Sequence, residues 1–186
     1  MKIKLKELAF IKTGLVLSRR KAKIQLNSEN YQVVSLKSFN KNGEYNHKFS
    51  ESFYSSRIIK EEYLVKKGDI LIRLRKPNLA IYIDKDYEKL IASSLVAILR
   101  VRKDINPLFL TYYLNSKRVE RDLNRYVKGT AIPMIQIKDI SNLVISIPSL
   151  DEQKLLSLQN REITLLENLI DEKRKLNEAL FERITK

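Results

Sequence analysis

The sequence predicts an α+β protein, with a globular mixed domain over residues 1–148 followed by one long α-helix over 149–186 that pairs as a coiled coil. Three observations lead there. Strand-like β-branched runs are interspersed with helical patterns up to Ile147. From Leu150 to Lys186 there is neither Gly nor Pro, and apolar residues recur at helical spacing. Between the two parts lies Ile147-Pro148-Ser149-Leu150-Asp151-Glu152-Gln153, in which Ser149 and Glu152 stand in the S-x-x-E relation of a capping box. Pro148 precedes the cap, where its missing N–H costs nothing.

Taken in order, Leu5, Leu8 and Ala9 fall at helical spacing within residues 4–11 and predict a short helix or turn, which Gly14 ends through its access to positive φ. Residues 15–17 are apolar. Ser18-Arg19-Arg20-Lys21-Ala22-Lys23 is a dense basic run expected in a loop. Residues 31–36 alternate and are β-branched, a strand signal. Residues 37–57 read as a polar, aromatic-bearing loop with a turn at Asn42-Gly43. Most of its aromatics are expected to pack the base of the loop; stacking on nucleobases is the alternative. Residues 63–65, the Lys67-Gly68-Asp69 turn and residues 70–75 predict strand, turn, strand, with Arg73 and Arg75 on one face. Lys76-Pro77-Asn78 ends that strand, and residues 79–83 and 90–101 give two more.

Asn106-Pro107 is an N-cap and first-turn pair. It opens a helix carrying Phe109, Tyr112, Tyr113, Val119, Leu123 and Tyr126, stopped at Gly129. Residues 129–134 form a turn-rich connector, and residues 143–147 a strand that reaches Pro148. In the last helix Leu155, Leu158, Leu165, Leu169, Leu176 and Leu180 mark one apolar seam, and Leu156, Ile163, Leu166 and Ile170 a second beside it. Two seams are wider than a two-stranded coil needs, so this helix is expected to meet more than one neighbour. At 1.5 Å per residue it makes a rod of roughly 50 Å, longer than the domain can cover.

Charge separates the two parts. Of 36 Lys and Arg, 29 lie in residues 1–150 against 14 acidic residues, a net of +15; residues 151–186 carry 7 against 8. A basic domain joined to a neutral leucine-rich helix indicates one surface for a polyanion and another for protein. The chain has no Cys, which excludes disulfides and thiolate metal sites and suits a reducing cytoplasm. It shows neither an export segment nor a membrane-spanning run.

Three basic clusters are the candidate DNA contacts: Arg19, Arg20, Lys21 and Lys23; Lys41, Asn42, His47 and Lys48; and Arg73, Arg75, Lys76 and Asn78. Arg can bond guanine at two atoms and Asn can do so with adenine, whereas Lys mainly holds phosphate. A generic solvated face is the competing account of any single member. Catalytic arrangements fail. Asn106-Pro107-Leu108-Phe109 resembles the N-P-P-[FY] tetrad of amino-methyltransferases, but no Gly-rich loop for S-adenosylmethionine precedes it, and a helix cap explains it. Asp171-Glu172-Lys173 has a D-x-K look on a charged helix face, and Asp84 and Asp86 have no third partner for a metal. His47 is the only histidine. The chain reads as non-catalytic, with no cofactor and no metal.

In order and spacing, several motifs resemble the specificity subunit of type I restriction–modification enzymes. Leu5-Lys6-Glu7-Leu8-Ala9 to Gly14 looks like the start of its target recognition domain, and Lys67-Gly68-Asp69-Ile70-Leu71-Ile72 like its "GD-I-L" strand. The stretch from Leu108 to Tyr113 with Gly129 to Pro133 is similar to its "fLyyyl … G-s/t-x-x-p" passage. Ile145 to Gln153 is similar to its "i-P-x-l-x-E-Q" junction. Residues 15–60 match least. The resemblance implies a domain that reads half of a bipartite double-stranded DNA site, carried on a helix that docks methyltransferase subunits and, through them, a restriction subunit. Family members usually hold two such domains and two antiparallel helices; with one of each here, a homodimer is the expected repair. An orphan or truncated subunit acting only as a protein-interaction module is the alternative.

Overall fold

The computed structural model describes residues 1–23, 28–76, 78–102, 104–127 and 134–184. The chain opens with β1 (Lys2–Lys4), α1 (Leu5–Leu8) and β2 (Ala9–Thr13). There follow β3 (Glu29–Val34), β4 (Glu51–Ser55), β5 (Ile70–Arg73), β6 (Ala80–Tyr82), β7 (Leu90–Ala92) and β8 (Val96–Val101). Then come α2 (Pro107–Leu114), α3 (Lys117–Asn124), α4 (Ile137–Ser141), β9 (Val144–Ser146) and α5 (Leu150–Ile184). The α+β class is as the sequence predicts.

An antiparallel sheet in the order β2-β8-β5-β6 lies at the centre, a second sheet β4-β3-β7 packs on it, and β1 pairs with β9. Alternation along the central strands divides the core in two. Ile70, Ile72, Ala97 and Leu99 face Leu5, Leu8, Leu110, Leu114, Val119, Leu123 and Ile140. Leu71, Val96 and Ile98 point the other way, onto Val34, Phe39, Val65, Leu90 and Ala92 of the second sheet and its loops. Tyr31, Val33 and Ile91 carry a third cluster with Leu15 and Ile59.

Several local expectations change. The first helix stops at Leu8, and residues 9–13 form β2 against β8. The 37–57 region is not all loop: Glu51–Ser55 pairs with β3, while Phe39 is buried as expected of a packing aromatic. Residues 63–65 are not a strand; Glu61–Tyr63 is a 3₁₀ turn and Leu64 makes a lone bridge to Ile91. Residues 90–101 form two strands in different sheets, because the chain turns at Ser93 (Val96 N–H to Ser93 O, 3.0 Å). The helix after Asn106 is two helices. Asn115 uses its amide on both backbone groups of Ala80, at 2.8 Å each, and Ser116 caps α3. The expected stop at Gly129, the connector to Pro133, and Pro77 lie outside the described residues.

The junction behaves as its sequence says. The Ser149 N–H donates to Glu152 Oε2 at 2.8 Å and the Glu152 N–H to Ser149 Oγ at 3.3 Å, the reciprocal bonds of a capping box. The helix it starts runs 35 residues. Its buried residues are Gln153, Ser157 and Thr164, whereas Leu155, Leu158, Leu165, Leu169, Leu176 and Leu180 are all exposed.

Candidate nucleic-acid interface

Strand register brings Arg73 and the chain that leaves β2 toward the first basic cluster to one end of the central sheet. Thr13 pairs with Ala97 and Arg73 with Val96, so β2 and β5 both end where β8 begins. The chain leaving β2 passes Gly14, whose N–H donates to Val96 O at 2.9 Å. A Cβ there would lie 2.2 Å from Ala92 O. Gly14 is therefore required by close backbone approach rather than by positive φ, which among the described glycines occurs at Gly43 and Gly68.

Beyond Gly14 the basic run is not a free loop. After a 3₁₀ turn at Leu17–Arg19, Lys21 bridges Ser55. The Ala22 N–H donates to Tyr54 O at 2.9 Å and the Ser56 N–H to Arg20 O at 2.8 Å. Residues 20–22 thus lie along β4, with Arg20 opposite Ser56, and Arg57 joins Arg19 and Arg20 around one cleft. Lys12, Arg19, Arg20, Arg57 and Tyr63 line a cleft of about 470 Å³ with no carboxylate on its walls. Lys12 Nζ lies 4.5 Å from the Tyr63 ring centre, and its ammonium donates to Glu62 O. Burial, then the nearby Arg100 guanidinium, holds the Lys12 pKa below the usual lysine value. Lys23 is exposed at the end of the run.

The second cluster emerges from β5. Ile72 and Leu74 both enter the helix-covered core, so Arg73 and Arg75 share the opposite face, as alternation predicts. Arg73 is half-buried with its guanidinium carbon 6.0 Å from the Phe39 ring centre, and burial lowers its pKa. Its Nε is buried with no hydrogen-bond partner among the described residues. Arg75 is exposed and bridges Met134; Lys76 is exposed beside it. Asn78 Nδ2 donates to Arg73 O at 3.0 Å, tying the turn.

The third cluster is elsewhere, and divided. Lys41 and Asn42 face α5, where Asn42 Nδ2 donates to Asn168 Oδ1 at 2.7 Å. His47 stacks on Tyr87 at 4.9 Å between ring centres, beside the β6–β7 connection. That connection leaves the opposite sheet end, since Tyr82 pairs with Ile70. Lys48 is exposed next to His47.

Sequence reading missed Lys12 and Arg57, which join the cleft only through long-range pairing. It also passed over Lys117, Arg118 and Arg121, exposed on α3 while Val119 and Leu123 are buried. That periodicity was visible. The α3 segment leaves Asn115, bound to Ala80, and the chain returns at Met134 opposite Arg75, which places the start of α3 near the same sheet end.

The Gly68-Asp69 pair belongs to the scaffold. Gly68 has φ +91°. Asp69 accepts from the Lys66 N–H at 3.0 Å and from Arg100 Nε at 3.0 Å, and Arg100 also donates to Leu64 O at 2.6 Å. No helix among the described residues is long and apolar enough to cross a membrane.

Comparison with known proteins agrees with this architecture. A family model described as type I restriction modification DNA specificity domain matches residues 1–186. The specificity subunit of the type I restriction enzyme MjaVIII from Methanocaldococcus jannaschii is 28% identical over 125 residues, covering 64% of this chain and 29% of that protein. The HsdS subunit from Thermoanaerobacter tengcongensis superposes with a TM-score of 0.68 at 18% identity, over 95% of this chain and 44% of that one. A chain from a structural study of complex assembly and conformational transition in the type I restriction–modification system gives 0.69 at 18% identity, over 99% and 43%. The S subunit from M. genitalium gives 0.53 at 18% identity, over 96% and 44%. At such identities the structural likeness carries the fold alone, and the chain spans less than half the length of each of these relatives. On the family match across all its residues, this chain belongs to the type I restriction–modification DNA specificity domain family.

Proposed function

We propose that residues 1–148 are a target recognition domain reading one half of a bipartite DNA site, and that residues 149–186 pair with a second copy and dock methyltransferase subunits. The observation that carries this reading is the carboxylate-free cleft lined by Lys12, Arg19, Arg20 and Arg57, which reaches Thr13 at the sheet end where β5 delivers Arg73. In this reading Arg20, Arg57 and Arg75 supply the forked donors suited to base edges, and Lys12, Lys21, Lys23 and Lys76 hold phosphate. Lys41, Asn42, His47, Lys48 and Asn78 contribute less, given their placement. The subunit supplies recognition and leaves the chemistry to its partners, so it holds no cofactor or metal of its own.

The exposed leucines of α5 support the pairing half. Leu155, Leu165 and Leu176 are 57%, 60% and 61% exposed, an apolar face that the described residues leave open. Two antiparallel helices about a two-fold axis would present identical, inverted half-sites separated by on the order of one DNA turn.

Selection of the purified chain against random duplexes tests the proposal. The expected product is an inverted repeat, bound with an affinity that falls steeply with salt because several phosphates are contacted. An unpaired half-site would remove the dimer, and a flat salt response would remove the DNA reading. The same exposed leucine face also fits a protein-interaction module that reads no DNA. That reading predicts tight binding to a methyltransferase subunit with no enriched sequence. Leu165→Glu with Leu169→Glu should give a folded monomer by light scattering; persistence of the dimer would exclude α5 as the pairing element.

A further inference from the structure

The helix α5 meets the rest of the chain through a polar stripe. Gln153, Ser157 and Thr164 are buried, and Asn168 hydrogen-bonds Asn42 at 2.7 Å. Steps of four, seven and four residues keep these positions on one helix face. Gln153, only 1% exposed, uses both ends of its amide. Oε1 accepts from the Asn106 N–H at 2.9 Å and Nε2 donates to Pro148 O at 3.1 Å. Asn106 caps α2, so this one side chain ties the first turn of α5 to the junction and to α2. The Ser157 hydroxyl is turned back onto Gln153 O at 2.7 Å, leaving a small surface on the buried face. Further along, the buried Thr164 side chain lies beside the Tyr112 phenol of α2.

These bonds restrain rotation in a way an apolar stripe would not. Methyl groups can slide over one another with little loss, whereas a hydrogen bond weakens steeply as its angle and length change. A 20° spin of α5 moves an atom about 5 Å from the helix axis by roughly 1.7 Å, enough to break each tie. The same spin matters more at the DNA. With the centre of a domain of this size about 15 Å from the axis, it shifts by roughly 5 Å, more than the ~3.4 Å between successive base pairs.

We propose that the polar stripe of α5, anchored by Gln153, fixes the spin and tilt of the helix on its recognition domain and thereby sets the half-site spacing that a helix-paired dimer accepts. This rests on the reading given under Proposed function. Gln153, Thr164 and Asn168 are positioning residues in it; none needs to touch DNA.

The test compares the full-length chain with Gln153→Met and with the double variant Thr164→Val, Asn168→Ala, which removes the polar groups of the other positions. Inverted half-sites are offered with randomised spacer lengths. Wild type is expected to enrich one spacer length; each variant is expected to enrich three or more, with affinity for an isolated half-site within about twofold of wild type. If both variants keep the wild-type spacing, or if wild type itself accepts all spacings, the proposal is overturned while DNA reading stands. If wild type enriches no half-site, DNA reading fails, and a second measurement still decides the stripe. The chain lacks Cys, so spin labels at Lys60→Cys and Lys173→Cys, diluted with unlabelled chain, report the distance between domain and helix. A narrow distribution that widens at least about twofold in the variants supports the restraint; an unchanged width overturns it.

Discussion

Replacing Asp69 by Asn would test whether the Gly68-Asp69 motif serves the scaffold. The Asp69 side chain is 4% exposed and that of Arg100 30%. Asn keeps the size and one acceptor for the Lys66 N–H, but leaves a half-buried guanidinium without its counter-charge. Breaking a buried pair from one side costs about 3–5 kcal/mol. Water reaching Arg100, and its remaining bond to Leu64 O, bring the expected loss to about 2–3 kcal/mol. For a chain of this length that is roughly 4–12 °C in midpoint temperature. Urea unfolding should show a lower midpoint at unchanged slope. Arg100→Met and the double variant close a cycle in which a coupling above about 1 kcal/mol is expected. Below the melting temperature, the DNA sequence preferred by Asp69→Asn should match that of wild type. An Asp69→Asn loss under about 0.5 kcal/mol, or no coupling to Arg100, would refute the clamp.

Four further outcomes follow from the geometry. Gly14→Ala puts a Cβ 2.2 Å from Ala92 O and 2.5 Å from Ser93 O, both backbone atoms that cannot swing away. It should cost about 3 kcal/mol or more, read as loss of the cooperative unfolding transition. Ser149→Ala should cost roughly 0.5–2 kcal/mol and speed amide exchange in the first turn of α5 while sparing the β5 and β8 amides. Hydrogen bonds from the Ser149 side chain, then its backbone N–H, hold the Glu152 pKa below the ordinary glutamate range. Its contribution is therefore present above that range and lost as pH falls through the lowered value, so the Ser149 amide should lose protection on acidification in wild type but show no such step in Glu152→Gln. Lys21→Gln and Lys76→Gln should each lower the log–log salt slope of DNA binding by about 1 per phosphate contact removed, with unchanged slopes counting against their placement at the interface.

The parts legible in the sequence are those made by neighbours in sequence. Ser149 and Glu152 form the box their spacing implies, and the Asn106 side chain accepts from the N–H groups of Leu108 and Phe109. The division of charge between domain and helix needed only counting. What failed depends on distant pairing. Glu51–Ser55 is polar enough to read as loop, and becomes a strand because β3 offers it a partner. Residues 90–101 look continuous until the chain changes sheets at Ser93. The docking face of α5 was hidden for another reason. Leucine periodicity draws attention to the side that faces solvent, while Gln153, Ser157 and Thr164 carry no hydrophobic signal.

The ribbon formed by β1 and β9 has a topological consequence. The Met1 amino group donates to Ile147 O at 3.1 Å and the Ile147 N–H to Met1 O at 2.8 Å. The path into the globular domain and the path out of it therefore share one doorway, with Cα atoms about 5.5 Å apart, as in a hydrogen-bonded antiparallel pair. A domain closed in this way behaves as a cassette. It can be spliced beside a helix, or exchanged for another domain, without moving the rod on which it is mounted. A shared doorway turns the replacement of the whole globular part into a local event, at the one point where chain enters and leaves.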